Sequence, residues 1–108
     1  MNIIESDKYK KSYKKLIKNN KEEVDRIENI KMFLISKKTL HDVMMDPWHN
    51  IYHIHELKET RHEYSAKISN SNNKLRLIMK PVGNYPYNTI EITDIEFYDL
   101  DNYHYKRG

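Results

Sequence analysis

The sequence predicts an α+β domain in which helices come first and then pack on a small, mainly antiparallel β-sheet. Three observations carry that expectation. Apolar residues recur at helical spacing as far as Pro47, and from His53 onward the period changes to two. Between two alternating runs, Asn70-Ser71-Asn72-Asn73 supplies turn chemistry. The 108 residues form one domain, residues 1–108, enough for a single modest core.

The short apolar start, Asn2-Ile3-Ile4, reads as an edge strand. Ser6 or Asp7 caps a first helix carrying Tyr9, Tyr13, Leu16 and Ile17, which Asn19-Asn20 ends. Glu22 and Glu23 suit the start of a second helix, with Val24, Ile27, Ile30 and Leu34 as its buried stripe and an end near Ser36. The two form a helical hairpin. Thr39 and Asp42 resemble a capping box for a short third helix with Leu40, Val43 and Met44, and Pro47 stops it.

The sheet begins at His53-Ile54-His55-Glu56-Leu57-Lys58, where strand alternation puts His53 and His55 on one face and Ile54 and Glu56 on the other. Tyr64, Ala66 and Ile68 then alternate with Glu63, Ser65, Lys67 and Ser69, which predicts one buried and one wet face. Leu75, Leu77 and Met79 face the core opposite Arg76, Ile78 and Lys80. A longer loop spans Pro81 to Asn88. After it, Ile90 and Ile92 fall on one parity and Ile95 and Phe97 on the other. A bulge near Thr93-Asp94, or cover on both faces, accommodates that slip.

Composition narrows the classes. Nine Tyr, two Phe and one Trp argue against disorder. No apolar run approaches the roughly 18 residues of a membrane span, and no signal-peptide pattern follows the N-terminus, so a cytoplasmic protein without membrane partners is expected. With no cysteine, disulfides, thiolate zinc sites and Cys nucleophiles are excluded. Net charge is +3: residues 1–38 hold eleven Lys or Arg against six acids, whereas residues 91–101 hold five acids and no base. A basic helical half attracts polyanions, and a solvated Lys-rich helix face explains the same numbers.

Four groups could carry chemistry: His55 with Lys58; Arg76; the tail from Asp101 to Arg107; and Trp48. If the strands are neighbours in a meander, His55, Lys58, Arg76, Tyr103 and His104 line one concave face. Those are the parts for metal-free RNA cleavage: a base for the ribose 2′-OH, an acid for the leaving 5′-oxygen, and fixed cations for the transition state. Histidine suits both proton transfers and arginine offers phosphate a planar fork. Plainer readings stand beside these. His53 and His55 are ordinary wet-face residues, Arg76 pairs with the acidic last strand, Tyr103-His104-Tyr105 covers a core edge, and Trp48 is a packing anchor. His53-x-His55 lacks a third ligand at recognisable spacing, so neither metal nor cofactor is expected.

Helices followed by His55-Glu56-Leu57-Lys58, Tyr64-Ser65-Ala66-Lys67-Ile68, Lys74-Leu75-Arg76-Leu77-Ile78 and an acidic strand closing on Tyr103-His104 resemble the RelE/ParE toxin superfamily, and within it HigB-type killer toxins. The resemblance spans roughly residues 50–105. It implies a RelE-like fold of two or three helices on the sheet. The implied activity is a ribosome-dependent mRNA endonuclease in the bacterial cytoplasm, masked by a cognate antitoxin that is often a helix-turn-helix repressor. Its partners would be the ribosome and mRNA, with operator DNA reached only through the antitoxin.

By that likeness His55 and His104 transfer protons or hydrogen bond, Lys58 and Arg76 hold phosphate, and Tyr103 positions a base. Lys67, Lys74, Lys106 and Arg107 join Lys58 and Arg76 as candidate RNA-binding cations. This chain departs from the family pattern at Glu59-Thr60, where Gly is usual, at Asn102, which separates Asp101 from Tyr103-His104, and in its longer loop from Pro81. Alternatives are a ParE-like gyrase inhibitor, which does without the His and Lys constellation, and a non-catalytic RNA- or ribosome-binding module.

Overall fold

The computed structural model describes residues 1–59, 62–69 and 74–101. Over these the chain folds as β1 (Asn2–Glu5), α1 (Asp7–Leu16), α2 (Lys21–Ile35), α3 (Leu40–Met45), α4 (Trp48–Ile51), β2 (His55–Glu56), β3 (Tyr64–Lys67), β4 (Arg76–Pro81) and β5 (Asp94–Asp101). The strands form one mixed sheet in the order β1-β5-β4-β3-β2. The three pairings from β2 to β5 are antiparallel, and β1 joins β5 in parallel. The domain is α+β, with its helices on one face of the sheet.

Local chemistry accounts for the helices. Ser6 Oγ accepts from the Tyr9 amide at 3.0 Å and donates to the Tyr98 carbonyl at 2.7 Å, so one hydroxyl both caps α1 and ties it to β5. Ile27, Ile30 and Leu34 of α2 are fully buried, whereas Val24 is only half-buried. Thr39 Oγ1 caps α3 by accepting from Asp42 N at 3.2 Å. Two more of that helix's first amides, Leu40 and His41, donate to the carbonyls of Ile92 and Thr89 in the long loop. Together with Tyr9, Leu40 and Val43, these side chains meet Tyr64, Ala66, Leu77, Met79, Ile95 and Phe97 of the sheet in one core.

One expectation is extended and four are corrected. Pro47 ends α3 but also opens the one-turn α4, because proline suits a helix start and Asp46 Oδ1 accepts from Trp48 N at 2.9 Å. Trp48 is no packing anchor: it is 54% exposed, its ring 6.2 Å from that of Tyr52.

The strand expected over His53–Lys58 is only His55–Glu56. His53 adopts a left-handed φ of 52°, which ends any alternation with His55.

The wet face of β3 is largely dry: Glu63, Ser65 and Ser69 are buried along with the core-side residues. A second, smaller cluster of Leu57, Ile78 and Tyr98 lies on this outer face.

The parity slip is resolved inside β5 rather than before it. Met79 opposes Phe97 and Ile78 opposes Asp99, so Tyr98 is the extra residue of a bulge. Ile95 and Phe97 point into the helix-side core; beyond the bulge Leu100 does so instead, opposite Leu77. Ile92 is buried ahead of the strand, where its Cδ1 would lie 2.7 Å from any Cβ placed on Gly83. Ile90 sits in a turn, 64% exposed.

Phe97→Ala is expected to cost about 3–5 kcal/mol by urea denaturation, whereas Ile90→Ala should stay within about 0.5 kcal/mol. Similar losses at the two positions would place Ile90 in the core and reject this assignment.

Candidate functional site

The outer face of the sheet is organised in rows, since residues opposed across a ladder point the same way. One row reads His55, Ser65, Ile78 and Asp99 across β2, β3, β4 and β5. The next reads Lys67, Arg76 and Asp101. Adjacent rows are two residues, about 7 Å, apart, which puts the His55 and Arg76 Cα atoms about 12 Å from each other. Lys67 and Arg76 are directly opposed like charges, a pairing that destabilises a sheet by itself. The bulge at Tyr98 sets Asp101 on the far flank of Arg76, where its carboxylate lowers that repulsion.

The segment before β2 is held by Arg26 of α2. Its Nε donates to the Lys67 carbonyl at 2.6 Å and its terminal nitrogen to the Ile51 carbonyl at 2.9 Å. The guanidinium also lies 5.3 Å from the Tyr52 ring. In return the Lys67 amide donates to the Tyr52 carbonyl at 2.9 Å. One cation thus satisfies carbonyls at the end of α4 and the end of β3 and sets the turn through His53 against the sheet.

His53 lies within the field of this group. Its pKa is pulled below the ordinary histidine value, first by desolvation and then by Lys67, Arg26, Arg76 and His55. His55 is exposed, and its Nδ1 lies 2.9 Å from the His53 carbonyl oxygen. His53, His55, Lys67 and Arg76 therefore form one neighbourhood of basic groups.

The other candidates fall elsewhere. Lys58 is exposed in the turn after Leu57, on the side of His55 away from Lys67 and Arg76, because β2 runs antiparallel to β3. Lys74 is exposed ahead of β4, with a left-handed φ of 53°. Tyr103, His104, Lys106 and Arg107 lie outside the described residues; β5 reaches Asp101, beside Arg76. Trp48 is remote from the rows, next to Tyr52 on the helical side.

Along the same face the aromatic Tyr98 carries Lys80 Nζ at 3.6 Å from its centroid and Lys8 Nζ at 5.5 Å. Lys8 also reaches the buried Asp99 at 3.3 Å. These two lysines are engaged with the sheet rather than turned toward His55.

Arg26 is the participant that sequence reading overlooks, since a lone arginine on a charged helix carries no signal of two distant carbonyls. Among the described residues no cluster of three or more His, Asp or Glu side chains could hold a metal ion, and no helix is long and apolar enough to cross a membrane. No family model, curated protein or solved structure matches the chain.

The depressed pKa of His53 has a definite sign in folding. Near and below the ordinary histidine value of 6.5 the unfolded chain binds a proton that the folded chain sheds, so stability falls as pH drops through that range. Asn tolerates the left-handed turn, and His53→Asn should lose less stability than the parent between about pH 7.5 and about pH 5.5. Equal shifts in the urea midpoints of the two proteins would remove His53 from this role.

Proposed function

We propose that this chain is the toxin of a type II toxin–antitoxin pair, with a RelE-like fold, that cuts mRNA on the ribosome without a metal. The single observation carrying the reading is an exposed His55 imidazole one row from the opposed cations Lys67 and Arg76. Cleavage by the neighbouring 2′-OH needs proton transfer and charge stabilisation at adjacent points, and these residue types supply both. Arg76 binds a phosphate oxygen through its planar donor fork, Lys67 adds charge, and Lys58 engages the RNA on the other side of His55. By the resemblance, Tyr103 and His104 supply the stacking group and the second proton carrier; both lie outside the described residues.

The antitoxin is the implied protein partner, and the bacterial cytoplasm the implied location. A non-catalytic RNA-binding module would use the same cations and leave His55 idle. A gyrase inhibitor would use neither the imidazole nor the cation row. The reading predicts that the purified protein cuts a ribosome-bound message, leaving 2′,3′-cyclic phosphate and 5′-hydroxyl ends.

His55→Ala should reduce the rate about 100-fold or more, and Arg76→Ala or Lys58→Ala at least about tenfold, equivalent to about 1.4 kcal/mol of barrier. His104→Ala should abolish growth arrest while ribosome binding persists. Unchanged arrest in both histidine variants would reject catalysis and leave the binding module.

A further inference from the structure

Two proton-transfer roles need two differently protonated groups, and the turn before β2 distinguishes one of them. A carbonyl oxygen only accepts, so the 2.9 Å contact between His55 Nδ1 and the His53 oxygen requires the proton on Nδ1. In the neutral ring the lone pair is then on Nε2, the nitrogen farther from the main chain of an exposed side chain.

The carbonyl that enforces this is itself immobilised. In a trans peptide the C=O and the following N–H point in opposite directions. The Ile54 amide donates to the His49 carbonyl at 3.0 Å, which aims the His53 oxygen the other way, toward β2. On the near side, the His53 amide donates to the Asn50 carbonyl at 3.2 Å and the Tyr52 carbonyl accepts from Lys67 at 2.9 Å. The turn closes only because His53 adopts φ 52°, a left-handed conformation that a residue with a Cβ resists.

We infer that His53 is a positioning residue, whose main-chain carbonyl holds His55 in the Nδ1–H tautomer and so makes His55 the base of the cleavage step. This rests on the nuclease reading and assigns a direction to it. The 2′-oxygen attacks phosphorus while its proton passes to His55 Nε2. The bond from phosphorus to the 5′-oxygen breaks, and that oxygen takes a proton from a second acid or from water. A neutral His55 in this tautomer has no proton on Nε2 to give, so the leaving-group acid is another group.

The tautomer can be read without RNA, from two-bond 15N–1H correlations of the imidazoles at alkaline pH. The parent protein should show a protonated Nδ1 and an unprotonated Nε2 at His55. His53→Gly, which accepts positive φ freely, should keep that pattern; His53→Val, whose β-branched side chain resists it, should lose it and lower kcat at least tenfold with KM little changed. A proton on Nε2 in the parent overturns the inference. So does an unchanged His55 spectrum in a His53→Val protein whose circular dichroism is that of the parent; should that variant fail to fold, the parent spectrum decides alone. A protein with the expected spectrum that cuts no RNA rejects the nuclease reading, whereas one that cuts RNA with the proton on Nε2 rejects only the positioning role of His53.

Discussion

One extra residue in β5 reconciles two demands that a regular strand cannot meet together. Ile95 and Phe97 must face the helices, and an uninterrupted strand would send Asp99 and Asp101 into the same core. Burying two carboxylates in that apolar space would cost far more than one lost ladder pairing. The bulge at Tyr98 shifts the phase, puts Leu100 inward, and delivers both acids to the outer face. The pairing of Asp99 with Lys8 and the placement of Asp101 beside Arg76 both follow from that slip.

Much of the architecture is legible in the sequence because periodicity and caps report local physics. Ser6, Thr39 and the stripe Ile27, Ile30, Leu34 need no distant partner to be recognised. The conflict of parity between Ile92 and Phe97 is also visible, but its location is not. Alternation says that a phase must change somewhere, while only the ladder with β4 says where. The parallel edge strand β1 is recognisable as a strand, yet its partner lies at the far end of the sequence and leaves no local mark.

The candidate site is less legible than the fold. His55, Lys67 and Arg76 stand out by type and position, and the register brings Lys67 and Arg76 into one row with His55 in the next. The left-handed turn at His53 cannot be read that way, since it is held by carbonyls of Asn50, His49 and Tyr52 and by the clamp of Arg26. Main-chain hydrogen bonds carry no side-chain signature, and in this turn they do the orienting. That is why a strand expected over six residues retains two.

The parallel pairing at the sheet's edge has a consequence for synthesis. Asn2 stands opposite Asp94, and its side chain donates to Asp94 Oδ1 at 2.7 Å across 92 positions of sequence. During translation β1 emerges 92 positions ahead of its ladder partner, so it must wait, solvated, until β5 has been made. Closing so wide a loop is entropically slow, and until it closes the backbone of β5 offers an open rim to any extended peptide nearby. The order of synthesis thus makes β1 the strand that waits, and leaves β5 open on the side that β1 covers until that loop closes.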